Sequence, residues 1–200
     1  MPEGLGDLCC GIPWQSKGYT AGHRTMAART LEALWQAADR AGCPWSATPP
    51  RAPTAWSNSP TPWGEPDRAR FASLRFVDSV VFIAEHLLPA PTPRRLGSLA
   101  LHPTCSTVHL GIDDALRIVA AAVGDEVTAP DSWGCCAFAG DRGLLHPEIT
   151  AAATAAQAAE ITERTYDAYA SCNRTCETGM TRATGRPYRH LLELLDEATA

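Results

Sequence analysis

Apolar and polar positions along the chain change rhythm repeatedly, from a helical period to a strand period and back. Met26, Leu31, Leu34 and Trp35 recur at helical spacing, which predicts a helix over residues 20–41 with a core-facing stripe and Gly42 as its C-terminal cap. Leu74-Arg75-Phe76-Val77 reads as a short strand, followed by a helix over 78–88 with Asp78 as N-cap. Further on the pattern predicts a strand at 98–102, a helix over 112–123 and a strand at 126–129. A long alanine-rich helix over 147–164, a strand at 166–170 and an amphipathic helix over 187–198 complete the order. Strands alternating with helices imply an α/β fold with a mostly parallel sheet and right-handed crossovers.

Two stretches break the rhythm. Residues 44–66 carry prolines at 44, 49, 50, 53, 60, 62 and 66 and tryptophans at 45, 56 and 63. This predicts a long loop holding one broken strand, its tryptophans covering exposed core. The proline-rich residues 89–93 form a linker that divides a first domain, 1–93, from a second, 94–200.

Composition narrows the class. The chain has 200 residues, 45% of them apolar, and a net charge of −5 without a basic run. That is a globular composition, large enough for one sizeable or two small cores. It argues against nucleic acid as the main partner. No apolar stretch approaches the roughly 18 residues of a membrane span, and the first residues lack the basic start and apolar block of a signal peptide. Eight cysteines would suggest disulfides in a secreted chain. Without a secretion signal, thiols kept as ligands in a reducing cytoplasm fit better.

The thiols then become the candidate chemistry. Cys135 and Cys136 lie in Trp133-Gly134-Cys135-Cys136-Ala137-Phe138-Ala139-Gly140, ahead of the long helix. Neighbouring residues on a strand point to opposite faces, so two thiols serving one centre need an irregular backbone. Cys105 follows the strand at 98–102, and Cys172 and Cys176 follow the strand at 166–170. Ligand sites of open parallel sheets gather just past strand ends. Soft sulfur donors converging there suit an iron–sulfur cluster or zinc. His102 and His109 flank Cys105 and are candidates to tune or replace a ligand, or to donate an outer hydrogen bond. Arg142 and Arg174 are placed to offset cluster charge, and His146 is expected to be structural.

An internal repeat is visible. Cys9-Cys10 precedes Gly18 and a helix, as Cys135-Cys136 precedes Gly143 and a helix. The second copy has Cys105 30 positions before its pair and Cys176 40 positions after Cys136, whereas the position 40 past Cys10 is Pro50. The first copy is therefore an incomplete ligand set, with Cys43 seven positions too early to complete it.

The segments CCGIPWQSKGY (9–19), HPTCSTVHLG (102–111), WGCCAFAGDRGLLHPE (133–148) and SCNRTCETGM (171–180) together resemble the cysteine-rich CCG-domain family. That family includes the cysteine-rich component of heterodisulfide reductase and the iron–sulfur subunit of glycolate oxidase. The resemblance is strongest to the C-terminal iron–sulfur region of FAD-linked D-lactate dehydrogenases. It implies two CCG-type pseudo-repeats with cysteines at the C-terminal ends of parallel strands. It also implies a [4Fe–4S] cluster, of the non-cubane form in some members, bound by Cys105, Cys135, Cys136 and Cys176. Cys9 and Cys10 match the pair of the first module. The spacing Cys172-x-x-x-Cys176 departs from the C-x-x-C that often closes the motif, which sets Cys172 apart. The implied function is electron transfer from a flavin domain or subunit to an acceptor such as a quinone or cytochrome. The chain alone carries no flavin or substrate site. It thus looks like the C-terminal part of a larger oxidoreductase or a stand-alone remnant, cytoplasmic, with membrane association only through partners. The alternative is a non-redox module in which four cysteines hold zinc.

Overall fold

A computed structural model describes residues 8–38, 45–47, 56, 63–88 and 94–200. The chain forms two compact units, Met1–Ser79 and Val80–Ala200. The expected linker at 89–93 lies outside the described residues, as do Cys43 and the expected cap Gly42.

In the first unit α1 (Ile12–Gln15), α2 (Thr20–Ala37) and α3 (Glu65–Ser73) accompany a two-stranded parallel sheet, β1 (Trp45–Ala47) and β2 (Phe76–Asp78). The buried stripe of α2 is His23, Ala27, Thr30 and Leu31, with Leu34 and Trp35 half-buried beside it. Small residues on that stripe let the aromatic rings approach. Trp56 stacks edge-on against Trp63 at 5.3 Å and against Phe71 and Phe76 at 6.0 and 6.2 Å. Trp56 and Trp63 are thus core residues. The strand expected at 74–77 starts later, at Phe76, and α3 occupies part of the span read as loop.

The second unit is built on a four-stranded sheet. Its strands β3 (Leu96–His102), β4 (Gly124–Thr128), β5 (Ala168–Ser171) and β6 (Tyr188–His190) are all parallel, in the order β4-β3-β5-β6. Before it comes α4 (Ser79–Phe82), which continues as a π-helical stretch over Ile83–Leu87. The remaining helices are α5 (Cys105–Leu110), α6 (Asp113–Val123), α7 (Arg142–Leu145), α8 (Pro147–Thr162), α9 (Arg174–Thr184) and α10 (Leu191–Thr199).

Strand alternation sorts the core onto two faces. Leu99, Leu101 and Ala170 pack with Leu116, Val119 and Val123 of α6 and Leu191, Leu194 and Leu195 of α10. Ala100 and Tyr169 point the other way, to Ile161 of α8 and Met180 of α9. Each fully buried leucine there contributes roughly 1.5–3 kcal/mol. Three features depart from the sequence expectation. The amphipathic stretch 187–198 begins as strand β6, because Tyr188 pairs in register with Tyr169 and their rings meet at 5.5 Å. Short helices α5 and α9 follow β3 and β5 where loops were expected. Finally, the helix expected over 78–88 is π-helical in its second half. Among the described residues no helix is long and apolar enough to cross a membrane.

Candidate metal centre

Three chain segments meet beyond the C-terminal ends of β3 and β5. The first leaves β3 through Pro103. Thr104 caps α5: its Oγ1 accepts from the Thr107 N–H, and the Thr107 hydroxyl accepts from the Thr104 N–H. This reciprocal box is fully buried and fixes Cys105 as the first helical residue.

The second segment is the double-cysteine loop, which is tied at several points. Trp133 Nε1 donates to the Pro103 carbonyl at 2.6 Å, and Gln157 Nε2 on α8 donates to the Gly134 carbonyl at 3.4 Å. The Glu160 carboxylate accepts from the Ser132 hydroxyl and from the N–H groups of Ser132 and Asp131, which holds its pKa below the usual carboxylate range. Ala137 and Ala139 have φ of 53° and 45°, and Gly140 follows at 73°. Left-handed residues interleaved with ordinary ones turn the chain sharply, which supplies the irregular backbone that adjacent thiols require. Cys135 is exposed and its Sγ accepts the Ala137 N–H at 3.4 Å. Cys136 turns inward.

The third segment leaves β5 and enters α9, whose N-cap Asn173 accepts from the Thr175 N–H. Cys176 sits in the first turn, where the helix dipole favours negative charge.

Cys136, Cys176 and Phe138 form a buried cluster. The two sulfurs are 3.2 Å apart and neither is in a disulfide. The Cys136 thiol is drawn down to about 4, first by the hydrogen bond with Cys176 and then by nearby His102, against the opposing effect of burial. His102, Cys136 and Cys176 are all buried, with their ligand atoms within 4.8 Å of one another. Cys105 lies against Cys135, whose thiol is pushed up by burial first and then by the Cys105 thiol and charge and by Cys136. The four expected cysteines thus converge as two adjoining pairs. The set fits a thiophilic metal group: it is rich in sulfur, and both ring nitrogens of buried His102 lack a partner at hydrogen-bond geometry.

Cys172 is placed elsewhere. It continues the alternation of Ala170 and packs with Leu99, Leu101 and Leu191 on the α6/α10 face, with Thr104 Oγ1 3.9 Å from its sulfur. His109 is exposed on α5, and His146 is exposed beside Glu148 at 3.2 Å. Arg142 is exposed, while Arg174 is held by Glu193 and, at 3.0 Å, by Glu177.

In the first unit Cys9-Cys10 has the same local turn as the second pair. The Gly11 N–H donates to Cys9 Sγ at 3.5 Å, and Gly11 has φ 83°. The Cys10 carbonyl accepts from Trp56 Nε1 at 2.7 Å, and the Cys9 carbonyl from the Thr30 hydroxyl at 2.8 Å. Burial and the neighbouring Cys9 push the Cys10 thiol up. Among the described residues this pair joins no group of three metal-binding side chains.

Of the two histidines named as candidates to tune or replace a ligand, His109 is exposed and His102 stands beside the thiols. The signal it carried was parity: it stands two residues from Ala100, on the face of β3 opposite Leu99 and Leu101.

Comparison with known proteins agrees with this geometry. Residues 99–181 match the family model of the cysteine-rich CCG domain. The chain is also similar to the glycolate oxidase iron-sulfur subunit of Escherichia coli (strain K12), with 27% identity over 134 residues. The alignment covers 66% of this chain and 33% of that protein, so the chain spans about a third of its relative's length.

Proposed function

We propose that the chain is an iron–sulfur electron-transfer module with one cluster held by Cys105, Cys135, Cys136 and Cys176. Its electron source would be a flavin-bearing domain or subunit that oxidises D-lactate or another 2-hydroxy acid, and its acceptor a quinone or cytochrome. The observation that carries the reading is the convergence of these thiols from three loops at one end of a parallel sheet. The similarity to a protein named as an iron-sulfur subunit supports the same reading.

A [4Fe–4S] cluster bound there would supply one-electron redox chemistry at a potential set by its ligands, hydrogen bonds and exposure. The chain's own residues do the rest. The Thr104–Thr107 box and the Trp133–Pro103 hydrogen bond hold the Cys105 and Cys135 segments together. Phe138 seals the inner side against water, with Arg182 lying over its ring at 5.8 Å and bonded to the Gly143 carbonyl. Cys135, being exposed, marks the side from which electrons enter or leave.

Anaerobic reconstitution with iron and sulfide tests the reading. A brown protein with an EPR signal that responds to reductant is expected. The signal should be lost in Cys135→Ala and Cys136→Ala and kept in Cys43→Ala. A colourless protein that folds with zinc and assembles no cluster would replace this reading with a structural zinc module.

A further inference from the structure

We propose that His102 is itself a ligand of this centre, giving it a mixed sulfur–nitrogen donor set. The inference rests on the reading of the cysteines as a metal site and adds an imidazole to it.

His102 is 1% exposed, and neither Nδ1 nor Nε2 has a partner at hydrogen-bond geometry, although the ring stands near enough to the Cys136 thiol to draw its pKa down. Leaving a buried polar group unsatisfied costs about 1–3 kcal/mol, and native proteins rarely keep such a group without a use for it. The ring is also held in place. His102 ends β3 in register with Ser171, whose hydroxyl donates to the His102 carbonyl at 3.0 Å. Strand alternation then sends the side chain to the face of Ala100, where Cys136 and Cys176 lie, with all ligand atoms within 4.8 Å. Two ligands of one tetrahedral ion, at about 2.3 Å for sulfur and about 2.0 Å for nitrogen, stand roughly 3.5 Å apart. Ligands on neighbouring irons of a cluster stand farther apart. The observed spacing needs only a small ring or thiol rotation for either arrangement.

Other donors are absent from the inner side among the described residues. Three residues after Cys176 on the same helical face stands Gly179, where even a Cβ would be 3.6 Å from that of Cys136. Glu177, the next residue along from Cys176, turns its Oε2 to Arg174 at 3.0 Å and does not join the donors that lie within 4.8 Å of one another. Cys172 leads to the opposite face of the sheet. The imidazole is the remaining buried donor among the described residues that faces the two inner thiols. A neutral imidazole in place of a thiolate makes the centre less negative, and imidazole ligation raises cluster potentials.

The test uses the full chain, reconstituted with iron and sulfide, reduced, and labelled with 15N-histidine. Pulsed EPR should detect a directly ligated histidine nitrogen in the wild type, and His102→Cys should lose it and shift the reduction potential downward. A loaded wild-type cluster without that coupling, or one whose coupling persists in His102→Cys, would overturn the proposal. Failure of any cluster to assemble would sink the iron–sulfur reading instead. The ligand assignment would then be read from X-ray absorption of the Co2+-loaded protein. One nitrogen near about 2.0 Å among sulfurs near about 2.3 Å, lost in His102→Cys, supports it; sulfur-only coordination in the wild type refutes it. Labelling alone decides the question in the wild type if the variant does not fold.

Discussion

Glycine 143 offers a sharp test of how tightly the centre is walled. A Cβ built there would stand 2.6 Å from both Cγ and Cδ2 of Phe138 and 2.9 Å from Thr150 Oγ1. Phe138 cannot yield easily, because it is buried against Cys136 and Cys176, and Thr150 is buried as well. Gly143→Ala would gain up to about 1 kcal/mol of helix propensity, and less in practice because α7 has four residues. Overpacking a filled core costs about 1–3 kcal/mol, so the clash should win by roughly 1–2 kcal/mol. Gly179→Ala is the milder comparison: its nearest neighbours would be 3.3, 3.5 and 3.6 Å away, so Thr150 Cγ2 must give by only a few tenths of an ångström, and inside the longer α9 a propensity gain of about 1 kcal/mol offsets that tight contact. Urea unfolding of the metal-free protein, compared at constant m, should lower the midpoint for Gly143→Ala and leave that for Gly179→Ala equal or higher. The reconstituted Gly143→Ala protein should also retain less iron. Equal stability of Gly143→Ala and the wild type would refute the account of Phe138 as a fixed wall.

Ala137→Gly should be neutral to about 1 kcal/mol stabilising, because the left-handed φ of 53° penalises alanine by about 1–2 kcal/mol while glycine loses about 0.4–1 kcal/mol through the unfolded chain; a lowered urea midpoint would contradict this. Gly11→Ala should destabilise by at least about 2 kcal/mol, since its Cβ would meet His23 Cδ2 at 2.6 Å at a φ of 83°; unchanged unfolding would show that the turn can relax. The Cys9→Ser/Cys10→Ser double variant should match the wild type in iron and sulfide per chain, because the pair has no third partner among the described residues; a halved iron content would show a second cluster. His190 has a lowered pKa, first from burial and then from the charge of Arg174, and its Nδ1 caps α10 by accepting the Leu192 N–H. The unfolded histidine therefore takes up a proton before the folded one, and stability should fall as pH drops below about 6.5. His190→Asn, which can still cap, should flatten that fall, and an unaltered acid profile would place its cause elsewhere.

The order of β and α elements in the second unit was legible where an element carries a strong period, as α6 and α10 do, whereas the long α8 has no apolar stripe and was legible from its alanine-rich composition. β3 and α6 alternate or recur as buried elements should, and parallel pairing follows from the helices between strands. Edges and short elements were not. Tyr188-Arg189-His190 has too few residues to show a strand period, and only the neighbouring Tyr169 ring makes it a strand. Helices α5 and α9 depend on side-chain caps at Thr104 and Asn173, which are local signals that a reading based on apolar rhythm passes over. The π-helical turn at Ile83–Leu87 has no sequence signal that distinguishes it from an ordinary helix.

At the site, spacing alone drew attention to the cysteines, but spacing carries no information about which side of a sheet a residue faces. Parity does. From Leu99 and Leu101 on the α6/α10 face it follows that His102 turns to the other, while Cys172, one residue past β5, packs with Leu99 and Leu101. A cysteine four residues from a candidate ligand can therefore be core, while a histidine that reads as a flank can stand among the ligands. Parity stops at Ser171, the last residue of β5, and past it the caps take over. Asn173 starts α9 so that Cys176 falls within the first turn and faces Cys136, and the left-handed backbone at Ala137 and Ala139 separates the inward Cys136 from the exposed Cys135. Strand parity, the Asn173 cap and the left-handed turn thus bring Cys136, Cys176 and His102 together on the buried side, while Cys105 is half-buried and Cys135 exposed. The centre would then be anchored by a buried, nitrogen-containing side and open to an electron partner on the all-sulfur side.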